Sequence, residues 1–299
     1  MSIRLGDLAQ SQKMTASLLS LRAQVNDTQA TISSGKKSST LAGYGSAASS
    51  VLALRALNTR TSGYVADNKL VQSRLETMDS AMQAMGDVAA RLQTLIAGRR
   101  SAGADNASSF DRSIDQMLQS VQAALNTQYD GAYLFAGSRT DEAPAAFGSP
   151  ASSGAGDTSY YRGDDKLASV KADDQTTITY GVTADHPAFA TLIAALSAAK
   201  AANASGSDTD LADASAQSMA AVSAVADLRS NSGVTAASLE TINDTLQMNQ
   251  LYFGNLSSDL EDTDISVAMA KVSADSVALQ AAYATMSKIN SLSLTDYIR

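Results

Sequence analysis

The chain's three prolines, Pro144, Pro150 and Pro187, all fall near its middle, and residues 1–140 and 190–299 contain none. Proline removes a backbone donor and breaks a helix interior, so these two long stretches are free to be helical from end to end. Apolar residues there recur at steps of 4 and 3. From Val71 the run is Leu75, Met78, Met82, Met85, Ala89, Leu92, Ile96. Phe110, Ile114, Met117, Val121 and Ala124 form a second run, and Leu239, Ile242, Leu246, Asn249, Phe253, Leu256 and Leu260 a third. Alternating steps of 4 and 3 are the seam of packed helices. The sequence thus predicts a mainly α fold: long N- and C-terminal helices pairing as a coiled coil and helical bundle, with a small β-containing insert in the middle.

Both ends carry the same narrow line. At the start it is Met14, Leu18, Leu21, Val25, Thr28, Ile32; at the end, Ile265, Ala268, Val272, Asp275, Leu279, Ala282, Met286, Ile289. A lone helix with so thin an apolar stripe is marginal in water. Each end therefore needs a partner, the other end or a neighbouring molecule. The expected self-assembly residues are Leu18, Leu21, Val25, Ile32, Val272, Leu279, Ala282, Met286, Ile289 and Tyr297, with Tyr283 and Asn290 flanking the line for a second partner.

The middle reads differently. Gly131–Gly137 is a short apolar run closed by turn residues, and a Gly/Ser/Ala-rich stretch follows to Asp157. Ser159–Arg162 and Thr176–Tyr180 read as strands, with Gly163–Asp165 and Asp173–Asp174 as turns. Residues 189–202 read as an Ala-rich helix and 203–210 as a flexible connector; Gly98–Ser108 turns the chain between two antiparallel helices. The expected division is 1–40 with 262–299 as a terminal layer, 41–140 with 211–261 as a bundle, and 141–210 as the insert.

Composition excludes several chemistries. With no cysteine among the 299 residues, disulfides and thiolate metal sites are impossible. The net charge is −8, split into +6 over residues 1–75 and −14 over the rest, which argues against nucleic acid as a partner. No run of about 18 apolar residues is long enough to span a membrane. The first residues lack the apolar core and cleavage site of a secretory signal. His186 is the only histidine and reads as a loop residue in Asp185-His-Pro187. Glu261–Asp264 reads as a helix cap by Asp262 or Thr263 rather than a cation loop, which needs more oxygen ligands and a set glycine. No residue is expected to be catalytic, and no cofactor, metal or small-molecule substrate is expected. A Ser–Lys hydrolase and a coiled-coil adaptor are the readings from other classes.

Particular residues resemble the flagellin family. Leu21–Gly35, ending in Ser-Ser-Gly, is similar to that family's N-terminal helix and turn. Glu261-Asp-Thr-Asp264 looks like the acidic turn before its last helix. Gly131-Ala-Tyr-Leu-Phe-Ala-Gly137, Tyr160-Tyr-Arg-Gly-Asp-Asp165 and the tail Ala278–Ile298 resemble the hook-associated branch of the family more closely. The resemblance implies a structural subunit joining hook to filament, its terminal helices lining a tube and its insert facing outward. It also implies export without a cleaved signal peptide, an extracellular place in the flagellum, and as partners its own copies in a ring, adjacent hook-associated and flagellin subunits and an export chaperone. Bulk filament flagellin is the alternative.

Overall fold

The structure is a computed structural model that describes residues 2–102, 107–148 and 156–297, with side chains described for 12–101, 107–148 and 156–288. Among the described residues the order is α1 (Ser2–Ser34), a 3-10 helix (Leu41–Ala47), α2 (Ala48–Ala102), α3 (Ala107–Leu125), β1 (Gln128–Tyr129), β2 (Ala132–Tyr133), β3 (Ala168–Lys171), β4 (Thr177–Tyr180), α4 (Pro187–Ser205), α5 (Asp208–Glu261) and α6 (Ile265–Tyr297). The chain is 75% helical, and among the described residues two antiparallel two-stranded ribbons, β1-β2 and β3-β4, lie between the helical halves. None of the described helices is long and apolar enough to cross a membrane.

The residues gather into two units. One holds residues 1–60 with 249–299, the other 61–248, so the division falls inside α2 and α5.

The larger unit contains the main core. The α2 line Met78, Met82, Met85, Leu92 and Ile96 is buried against Phe110, Ile114, Val121 and Leu125 of α3. Unbranched Met side chains fill gaps that rigid aromatics would leave in so Ala-rich a core. α4 is buried almost all round, from Ala188 to Asn203, as expected for a helix apolar on every side. Its Phe189 meets Phe135 edge to face, with ring centroids 5.8 Å apart. Polar contacts fix how α2 and α5 run past each other. The Arg229 guanidinium donates to both Asp79 oxygens at 2.7 and 2.9 Å, and Ser218 Oγ donates to the Ala89 carbonyl at 2.7 Å. The amide of Asn68, fully buried, donates to the Ala172 carbonyl at 2.9 Å and to Asn243 Oδ1 at 3.1 Å.

Several local expectations need correction. Ser159–Arg162 is not a strand: Tyr161 makes a single bridge with Ala145, and the real partner of Thr177–Tyr180 is Ala168–Lys171. The Tyr160 hydroxyl is tied to the Ala184 carbonyl at 2.8 Å and that of Tyr161 to the Asp164 carbonyl at 2.5 Å, which holds this stretch as a knot. The connector at 203–210 is also mostly helix. α4 runs to Ser205, Gly206 closes it in the left-handed region at φ 67°, and α5 starts at Asp208. Of the expected turn at 98–108, residues 98–102 belong to α2 and 107–108 to α3, and 103–106 lie outside the described residues.

Candidate assembly interface

The smaller unit carries the expected assembly residues. α1 and α6 pack together, with the predicted lines on their facing sides. Leu18 and Val25 are buried at 7% exposure each, and Leu21 and Ile32 are half-buried. On α6, Val272, Leu279, Ala282 and Met286 are half-buried in turn. The side chains of Ile289, Asn290 and Tyr297 lie outside the described residues.

The same helices have a second line that the seam pattern does not include. On α6, Val267, Ala270, Ala274, Val277, Ala281 and Ala284 again step by 3 and 4, and all are exposed. At 100° per residue this line lies about 150° around the helix from the seam. On α1, Ala16, Leu19, Ala23, Asn26 and Ala30 do the same. Val267, Val277 and Leu19 are 64%, 65% and 63% exposed. Single exposed apolar residues are ordinary, but a heptad line of them along a helix is a packing face without a partner. Leu251 and Tyr252 of α5 and Tyr283 of α6 add exposed apolar area in this unit.

A polar latch closes the turn where α5 gives way to α6. The Glu261 side chain, 2% exposed, receives Arg55 Nε at 2.9 Å, Arg55 Nη2 at 2.6 Å, Lys36 Nζ at 2.6 Å and Ser257 Oγ at 2.8 Å. The hydrogen bonds from Arg55, then those from Lys36 and Ser257, hold the carboxyl down to about 2 against the cost of burial. Lys37 donates to the last α5 carbonyls, those of Asp259 and Leu260, at 3.1 and 2.8 Å. Backbone bonds complete the clasp: Lys37 N to Glu261 O at 2.7 Å and Thr263 N to Gly35 O at 2.9 Å. Gly35 sits at φ +71°, a conformation that favours glycine, which explains the Ser-Ser-Gly turn.

The α6 cap is neither Asp262 nor Thr263. Asp264 Oδ1 accepts from Ser266 N at 2.8 Å and from Val267 N at 3.2 Å, while Asp262 is engaged by Ser258 Oγ. His186, in the larger unit, is no plain loop residue: its Nδ1 accepts from Ala188 N at 3.2 Å and caps α4. An open groove of about 560 Å³ in that unit is lined by Arg91, Thr94, Arg99, Ser109, Ser113 and apolar residues, with neither imidazole nor carboxylate to serve as a base. The described residues hold no cluster of His, Cys, Asp or Glu suited to a metal.

Residues 7–140 match the bacterial flagellin N-terminal helical region, and residues 199–298 the C-terminal helical region. The chain belongs to the flagellin family. It is a structural component of the bacterial flagellum, an extracellular organelle, and assembles with other flagellar subunits. Among solved structures, this flagellin-family chain is similar to a protein described as a flagellar hook-associated protein from Vibrio parahaemolyticus. They share 16% identity over 74% of this chain and 100% of that one, at a TM-score of 0.54. It is also similar to FlgL of Xanthomonas campestris (15% identity, 69% and 99% covered, TM-score 0.54). FlgL of Bacillus cereus is a third (18% identity, 64% and 98% covered, TM-score 0.51). At these identities the likeness is one of fold. No curated sequence matches the chain.

Proposed function

We propose that this flagellin-family subunit forms the junction between hook and filament and works by helix packing rather than by chemistry. The observation that carries the reading is the second, exposed heptad line on α6, from Val267 to Ala284. With the seam residues Leu18, Val25, Val272 and Leu279 turned towards the α1–α6 pair, that outer line is left for a neighbouring copy. The junction, rather than the bulk filament, is favoured by the sequence of the tail and of the Gly131–Gly137 and Tyr160–Asp165 segments. The fold shared with a described hook-associated protein agrees with it.

In this reading residues 1–40 with 262–299 form the innermost layer, 41–140 with 211–261 the next, and 141–210 face outward. Leu21, Ile32, Ala282, Met286, Ile289 and Tyr297 complete the terminal packing. The copies close into a ring that adjoins hook-associated and flagellin subunits. The chain reaches its place with an export chaperone and without a cleaved signal peptide, and it has no enzymatic activity.

The decisive experiment substitutes Val277→Asp and Leu279→Asp in the intact chain and measures swimming and incorporation by immunolabelling. The outer-line variant is expected to leave the α1–α6 pair formed but block incorporation. The seam variant is expected to lose both. Label at one point per filament supports the junction, label along its length the bulk filament, and normal swimming of both variants removes the assembly reading.

A further inference from the structure

One layer of the α1–α6 seam is polar. Asp275 occupies the seam position between Val272 and Leu279, and its Oδ2 is enclosed with no hydrogen-bond partner among the described residues. The other polar member, Thr28, is buried at 8% exposure but satisfied, since its hydroxyl donates to the Gln24 carbonyl at 2.8 Å. The Lys36–Asp262 bridge sets the antiparallel register. Equal rise along both helices then brings Asp275 about level with Ala23, between the seam residues Leu21 and Val25. Arg22 and Gln24 flank that level on α1, and neither makes a hydrogen bond to Asp275 among the described residues. Lys271, one turn earlier on α6, is exposed and makes no ion pair with it among the described residues. Asp275 itself is half-buried, with only this one oxygen enclosed, whereas Glu261, a buried acid of the same unit, has four donated bonds from three side chains.

An enclosed acceptor without a donor loses its hydration and gains nothing in return. In paired helices a polar residue at a seam position lowers stability and is kept where that loss serves a purpose. We propose that Asp275 is the weak layer of the terminal pair: it keeps α1 and α6 prone to part in the lone subunit, so that the pair stays shut only where neighbouring copies cover the outer lines. This rests on the assembly reading above for its purpose, but not for its mechanism. The mechanism concerns one chain alone, in which unzipping exposes the enclosed Oδ2 of Asp275 to water and relieves its unmet bonding.

Hydrogen exchange of the full-length soluble chain, read by mass spectrometry segment by segment, tests it. Asp275→Leu is expected to slow exchange in α1 and α6 by tenfold or more, with α3 and α4 unchanged as an internal control of folding. Asp275→Asn, neutral but still polar, is expected to fall between. Unchanged or faster exchange in α1 and α6 of the Leu variant, with the control intact, overturns the weak layer. If the Leu variant loses protection in α3 and α4 as well, the Asn variant decides, and an absence of slowing there overturns the weak layer equally. If exchange slows but the unaltered chain never joins other copies, the weak layer stands and the assembly reading falls.

Discussion

Arg55 lays its guanidinium along the carboxylate of Glu261, Nε on Oε1 at 2.9 Å and Nη2 on Oε2 at 2.6 Å, across 206 residues of sequence. This forked pair, with Lys36 on the same carboxylate, joins the end of α1, the start of α2 and the end of α5.

Glu261 should make the smaller unit sensitive to acid. Its folded value of about 2 lies below the ordinary 4.5. Its contribution is therefore full above about pH 4.5 and is lost as pH falls towards 2. The Arg55 and Lys36 side chains are 47% and 46% exposed, so screening by water reduces the effect to about 1–2 kcal/mol. Glu261→Gln is expected to remove that much at neutral pH and to flatten the acid limb of an unfolding titration followed by circular dichroism.

His186 titrates in a different window. Burial lowers its value below the ordinary 6.5, with Asp185 opposing more weakly. Protonation would also take away the Nδ1 lone pair that caps α4. The stability it gives is present above about pH 6.5 and declines as pH falls below that. His186→Ala is expected to cost the larger unit about 1 kcal/mol at pH 8, and less at pH 5, in urea melts.

Asn68 bonds the α2 helix to the Ala172 carbonyl and to Asn243. Truncating it to Ala leaves buried acceptors without donors and opens a small void. The expected loss is about 2–3 kcal/mol. Because Asn68 Oδ1 has no partner in the described residues, Asn68→Asp should be worse than Asn68→Ala. Equilibrium urea unfolding of the three chains gives the order.

Gly137 and Gly163 hold the knot in the middle of the chain. Gly137 lies at φ +69°, and a Cβ there would collide with the carboxylate and the carbonyl of Asp164. A Cβ on Gly163 would strike the Tyr161 hydroxyl and the Ala136 carbonyl. Either alanine substitution is expected to cost about 2 kcal/mol or more. The loss should appear as proteolysis between residues 132 and 166 before global unfolding.

The helices are legible because burial on a helix repeats with the helix's own period. Leu18, Val25, Met78, Met82 and Ile114 stand on predicted lines, and all are buried. The β1-β2 hairpin escapes a reading by periodicity, although Asp130-Gly131, at φ 52° and 76°, is a strong local turn signal. The strand at 168–171 is misplaced by propensity because Tyr160 and Tyr161 favour strands, and their hydroxyls decide otherwise by finding carbonyls.

The sequence alone determined the helical halves, the middle insert and the seam lines at the two ends, since each is a periodic pattern within one segment and follows from backbone geometry. Only the tertiary structure decided which face of α6 is left uncovered, that Glu261 clasps Arg55 and Lys36, and that one oxygen of Asp275 is enclosed without a donor. Those facts depend on side chains up to 225 residues apart in sequence, and no local pattern records which groups the folded chain brings within hydrogen-bonding reach.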